Sequence, residues 1–249
     1  MTAPGSLRPA YRAAIGVVTP SGNTVVERVT TAILADFPAV SAHYSRTPVH
    51  GSSDAYPDDY DWDGMLGAAR LLAHARPDAF VWNGSKGANV GFDVDRDYCR
   101  RVTDETGIPA TTSTLALEAL CRARGIRRVA VVSPYGDVYQ RKLVAGLERE
   151  GFAVIAEAHA GLADNLAYAS IEDEAIAAMV GTVAAQRPDA ILAWCTNFPA
   201  AYLVPELERR FGVPVLDSVA LGLWHALIVA KIPVSECARW GGPFRSTGA

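Results

Sequence analysis

The chain has 249 residues, long for one open domain and short for two large ones. Half of them are hydrophobic, enough for a sizeable core, and the formal net charge of −4 gives no electrostatic footing for nucleic acid or an anionic membrane. Four cysteines, Cys99, Cys121, Cys195 and Cys237, show neither CxxC nor metal-ligand spacing, and no apolar run reaches about 18 residues. A soluble cytoplasmic protein with reduced thiols, no metal and no cofactor is therefore expected.

In chain order, MTAPGSLRPAY (1–11) reads as a mobile leader. AAIGVV (13–18) is a buried-strand candidate followed by the turn TPSGN, and TVVERVTTAILADF (24–37) carries apolar residues at helical steps. Val40 to Tyr44 reads as a second strand, DAYPDDYDWDG as a solvated acidic loop, Asp63 to Ala75 as a second helix and DAFVW (78–82) as a third strand. LALEALCRAR is helical, with Cys121 in its core. The grammar then restarts. RVAVVS (128–133) is a strand, VYQRKLVAGLEREG (138–151) a helix, Phe152 to Ala156 a strand, Ile171 to Gln186 a helix and DAILAW (189–194) a strand, with a helix from Pro199 to Phe211.

The restart is an internal repeat. Val17-Val18-Thr19-Pro20 matches Val131-Val132-Ser133-Pro134, RPDAFVWNGSK matches RPDAILAWCTN, and TGIPATTSTLALEAL resembles FGVPVLDSVALGLWHAL, at separations of 114, 111 and 105 positions. Three blocks in one order at nearly one spacing imply two homologous halves, a period too long for a solenoid. Strands alternating with helices imply parallel sheets. The expected fold is α/β, with two pseudo-twofold-related lobes, each a parallel sheet flanked by helices, and an active-site cleft between them. The expected bounds are 12–112 for the first lobe, completed by 217–240, and 113–216 for the second.

The repeat puts Gly84 and Cys195 in equivalent places just beyond the third strand of each half. A buried thiol is usually structural, but this position makes Cys195 the candidate catalytic group. A helix start after it would lower its pKa. The turn residues Pro20, Ser21 and Asn23, with Ser85, Ser133, Tyr135, Thr196 and Asn165, supply neutral donors suited to a carboxylate. Asn23 equally reads as a helix cap, and Asn165 as an ordinary turn residue. Lys86 reads as a loop residue rather than an anion clamp. None of the five histidines is paired with Ser or Cys in a triad motif, and neither nucleotide-loop nor zinc-helix motifs occur.

The two-halved design, with one candidate thiol position per half, resembles the aspartate/glutamate racemase superfamily over roughly residues 13 to 230. VTPSGNT, SPYGD, DNLA and CTN are similar to maleate cis–trans isomerase; GS after the third strand, with glycine in the first thiol position, is similar to arylmalonate decarboxylase. The isomerase resemblance implies that a first-half thiolate adds to the alkene, and that Asn23 and Asn165 hold a dicarboxylate. Residue 84 is glycine here, and Ser85 is a weak nucleophile. The decarboxylase resemblance implies cofactor-free loss of carbon dioxide, an enediolate held by neutral donors, and one proton delivered by Cys195. The expectation is a single-cysteine decarboxylase of a malonate-like diacid, with Cys195 and Tyr135 catalytic and Pro20, Ser21, Asn23, Gly84, Ser85, Thr196 and Asn165 binding. The alternatives are an isomerase or racemase of a small dicarboxylate, and a non-enzymatic acid-binding protein. The expected partner is a small carboxylic acid, with no nucleic acid and no membrane; homo-oligomerisation is left open.

Overall fold

The computed structural model describes residues 12–49 and 59–245, so the leader, His50 and the start of the acidic tract lie outside the described residues. The strands are β1 (Ala13–Pro20), β2 (Val40–Thr47), β3 (Ala79–Trp82), β4 (Ala110–Thr112), β5 (Arg128–Tyr135), β6 (Ala153–Leu162), β7 (Ala190–Ala193) and β8 (Val215–Asp217). The α-helices are α1 (Val26–Leu34), α2 (Trp62–Ala73), α3 (Gly87–Val90), α4 (Phe92–Thr106), α5 (Ser113–Arg124), α6 (Asp137–Arg149), α7 (Asn165–Tyr168), α8 (Asp173–Ala184), α9 (Val204–Phe211) and α10 (Ser218–Val229).

Two four-stranded parallel sheets form, ordered β2-β1-β3-β4 and β6-β5-β7-β8. The central strands read AAIGVVTP and AILA and are buried almost throughout, as strands covered on both faces must be. The same register repeats between β1, β3 and β4 and between β5, β7 and β8. Trp82 pairs with Val18 and Thr112, and Ala193 pairs with Val132 and Asp217. The sequence repeat is therefore a structural one, residue for residue, at the strand ends where the cleft opens. Even the helix punctuation matches: α4 and α9 end at Gly107 and Gly212, both left-handed, where a residue with a Cβ would be strained.

Helices α5 and α10 follow the last strand of each sheet and are capped by the equivalent residues Thr112 and Asp217, whose side chains accept from the first-turn amides. They pack against each other, and α10 also lies on β3 and β4 of the first sheet. Its sequence, SVALGLWHALIV, is apolar on almost every side because it is covered on almost every side. One continuous core runs through both sheets from Ile15 and Val17 to Val131 and Leu192. A smaller cluster with Val18, Phe80 and Trp82 fills the other face of the first sheet, under α2 and α4.

The expected helix from Pro199 to Phe211 is split. Pro199–Leu203 is a single 3₁₀ turn, and α9 starts only at Val204 with Pro205 in its first turn. The three-residue strands β4 and β8 lie in the third pair of matched blocks and were not read as elements. Among the described residues, no helix is long and apolar enough to cross a membrane.

Candidate active site

The loops leaving the carboxyl ends of both sheets enclose a cavity of about 410 Å³. Cys195, Tyr135, Pro20, Asn23, Gly84, Ser85, Thr196 and Asn165 all line it. Ser21 does not. It lies at the surface, and its hydroxyl accepts from the Val49 amide at 3.1 Å, because β2 runs on to Thr47 and carries the chain back across this turn. The equivalent position in the second half is Tyr135, which points into the cavity. Ser133 is likewise withdrawn, donating to Gln140 at 2.6 Å.

Asn23 lines the cavity and also holds the turn into α1. Its Oδ1 accepts from the Val25 and Val26 amides at 2.9 Å each, starting α1, and this turns Nδ2 toward Thr196 Oγ1 at 3.1 Å. Arg46 holds the same turn from outside, donating to the carbonyls of Ser21 and Asn23 at 3.0 and 2.9 Å and to Glu27 at 2.7 Å. Asn165 opens α7 rather than sitting in an open turn; its Nδ2 donates to Gly22 O at 3.1 Å. Asn197, to which the sequence reading gave no role, ties these pieces together. Its Oδ1 accepts from the Thr24 amide at 2.9 Å and its Nδ2 donates to Asn165 O at 2.6 Å. Lys86 stands at the edge, its ammonium donating to the Asp59 carbonyl and lying 5.5 Å from the Tyr60 ring centre.

Cys195 is 4% exposed. Burial pushes its thiol up to about 12, partly offset by the Tyr135 hydroxyl and by the Asn197 amide, which donates to Sγ at 3.3 Å. The expected lowering by a helix dipole is not found: the turn after the thiol is one short 3₁₀ turn starting four residues on, and desolvation outweighs it. The group at neutral pH is a thiol carrying its proton. Tyr135 is also held neutral, its phenol raised well above the usual range by burial. Its hydroxyl lies 2.9 Å from Ser85 Oγ, and its ring is wedged by Tyr139 and Tyr168 at centroid distances of 4.5 and 5.6 Å. Trp194 Nε1 donates to Ser85 O at 3.0 Å, joining the two halves beside the thiol.

The aromatic lining of the cavity was not anticipated. Tyr60, Trp82, Tyr139 and Tyr168 all line the cavity with Met65. Behind them Asp95 is fully buried, and burial raises its carboxyl to about 6 against the bonds it receives from Thr112 and Tyr60. Aromatic residues at a strand end read as core in a sequence, and an Asp in a helix reads as surface; no local pattern marks either as cavity wall. Among the described residues, no group of three or more His, Cys, Asp or Glu side chains is placed to hold a metal ion.

Two matched parallel-sheet lobes closing on a cleft that holds a buried thiol define a member of the aspartate/glutamate racemase-like superfamily. Within it, the chain belongs to the arylmalonate decarboxylase family, whose model matches residues 63–239. It is 28% identical over 235 residues to a maleate isomerase from Nocardia farcinica, covering 89% of this chain and 91% of that one. It is 33% identical over 129 residues to an arylmalonate decarboxylase from Bordetella bronchiseptica, covering 51% and 54%. Among solved structures, it resembles a Nocardia farcinica maleate cis–trans isomerase, a cysteine-to-serine mutant with a covalently bound succinylcysteine intermediate. That match has a TM-score of 0.82 and 26% identity, covering 95% of this chain and 99% of the other. Unliganded arylmalonate decarboxylase matches with a TM-score of 0.73 and 26% identity, covering 88% and 93%.

Proposed function

We propose that the protein is a cofactor-independent carboxy-lyase acting on a malonate-like diacid. The observation that carries this reading is a cavity lined by one buried thiol, Cys195, with glycine at the equivalent place in the other lobe. A single acid suits a reaction that needs one proton on one face. The bond from the α-carbon to one carboxylate breaks and carbon dioxide leaves. The electron pair stays on the α-carbon and spreads into the remaining carboxylate as a planar enediolate. Ser85, Tyr135, Thr196 and the Asn23 amide donate to its oxygens, a role suited to neutral, preorganised donors. The α-carbon then takes the proton of Cys195, and the thiolate regains one from water.

A second reading, a maleate-type cis–trans isomerase, is favoured by the length of the alignment with the Nocardia farcinica enzyme. It asks Cys195 to attack an alkene as thiolate, against a pKa raised to about 12. The two separate by product. The purified protein is offered a panel of substituted malonates and maleate, with carbon dioxide release and alkene absorbance followed together. Carbon dioxide release that falls about 10²–10⁴-fold in Cys195→Ala is the expected result. A shift of the maleate absorbance to that of its trans isomer with no carbon dioxide release would establish the isomerase. Undiminished turnover in the folded Cys195→Ala variant would remove the thiol from the chemistry.

A further inference from the structure

The two lobes differ at a pair of positions two residues apart. The first lobe has Trp82 and Gly84; the second has Ala193 and Cys195, and the strand registers make these pairs equivalent. A Cβ built on Gly84 would lie 2.3 Å from both Cε2 and Cζ2 of Trp82 and 2.9 Å from Cη2. Real Cβ atoms do not approach so closely, so the indole ring already occupies the space that any side chain at 84 would take. Gly84 does not have a positive φ, so the backbone alone does not demand glycine there. Trp82 demands it.

The ring is also held in place. Trp82 Nε1 donates to Tyr60 Oη at 3.2 Å, and Tyr60 in turn donates to Asp95 Oδ1 at 2.5 Å. Thr112 donates to the other oxygen of Asp95, also at 2.5 Å. Room for that carboxylate comes from Gly87, where a Cβ would lie 2.4 Å from Asp95 Oδ2. In the second lobe, the residue equivalent to Thr112 is Asp217, which caps α10 as Thr112 caps α5 but has no hydroxyl to donate to a buried carboxylate. The support behind Trp82 is thus particular to the first lobe.

We infer that Trp82 is a specificity-determining residue: its ring fills the space that a proton-carrying side chain at 84 would need on the first-lobe face of the cleft, so that a bound planar intermediate is protonated by Cys195 alone. This rests on the enediolate reading above. Stereochemical outcome is then set by the volume of residue 82, and glycine at 84 follows from it. Replacing Gly84 by cysteine alone places a thiol against a fixed ring; clearing the ring must come first.

The test is a pair of double-mutant cycles on the full chain. The first reads packing and needs no activity: Gly84→Ala, Trp82→Ala and the double variant are compared by thermal denaturation. Gly84→Ala is expected to lower Tm by about 2–10 °C in the unaltered background, and to cost little or nothing once Trp82 is alanine. The second reads chemistry. Trp82→Ala/Gly84→Cys, Trp82→Leu/Gly84→Cys and each single variant are incubated in deuterated water with an α-substituted monocarboxylic acid of a single enantiomer. Exchange of the α-proton with racemisation is expected at least tenfold faster in a double variant than in any single one. Additive Tm changes, or a Gly84→Cys variant that keeps its Tm and racemises by itself, would show that Trp82 is not the obstruction. Coupled Tm changes without exchange in either folded double variant would keep the packing and overturn the stereochemical role. If the unaltered protein releases no carbon dioxide from any malonate, it is the functional reading that fails, and the first cycle still decides the place of Trp82.

Discussion

Asp95→Asn isolates the buried acid behind the aromatic wall. In the folded protein this carboxyl is raised from 3.8 to about 6, with burial as the largest cause. The folded state therefore binds the proton more tightly than the unfolded chain. The resulting stabilisation is complete below about pH 3.8 and is lost as the pH rises through about 6. At about 1.4 kcal/mol per pH unit, the full contribution is about 3 kcal/mol, of which about 2 kcal/mol disappears between about pH 4.5 and 7. For a chain of this size that is about 4–8 °C in Tm. Asparagine keeps the shape and can still bond Tyr60 and Thr112, but it cannot ionise. Thermal denaturation of both proteins across this range should show the variant gaining on the wild type by that amount as the pH rises. Asp217, raised to about 7, acts in the same direction in both proteins and drops out of the difference. Parallel curves would refute the reasoning, since they would mean that Asp95 ionises alike in the folded and unfolded chains.

Tyr135→Phe removes one donor from the proposed enediolate site while leaving its ring wedged between Tyr139 and Tyr168; kcat for carbon dioxide release should fall about 10²–10³-fold with KM little changed, and an effect confined to KM would take Tyr135 out of charge stabilisation. Gly146→Ala reverses the usual sign of a glycine-to-alanine change in a helix, normally a gain of up to about 1 kcal/mol. Its Cβ would lie 1.8 Å from the Ala88 carbonyl oxygen, where α6 crosses α3. A drop in Tm is expected, and a rise would show that the two helices yield without loss.

Much of the architecture was legible because the chain states it twice. The matched blocks around Val17 and Val131, and around Asp78 and Asp189, fall on β1, β5 and the starts of β3 and β7, and they place Gly84 and Cys195 at equivalent points of one cavity. Equivalence of position did not extend to equivalence of environment. Ser21 and Tyr135 share a place in the repeat, yet a bond to the Val49 backbone takes Ser21 out of the site. The thiol's ionisation was misjudged for a related reason: a dipole can be guessed from a helix start, but desolvation depends on everything packed around the sulfur. The aromatic wall was illegible because Tyr60, Trp82 and Asp95 come from a loop, a strand end and a helix. Only the folded chain joins them.

The position of α10 bears on the order in which the protein is made. The first sheet leaves the ribosome before the second, but the helix that covers β3 and β4 is residues 218–229, which emerge only after every strand of the second sheet. The tail beyond it doubles back as well: Arg239 and Trp240 bond Asp36, and Cys237 lies against the Ile33 carbonyl. The second sheet has all four of its strands by Asp217, before the helix that the first sheet still awaits. During synthesis, therefore, the lobe made earlier is the one that must wait, with an apolar sheet face uncovered, for the other to be finished.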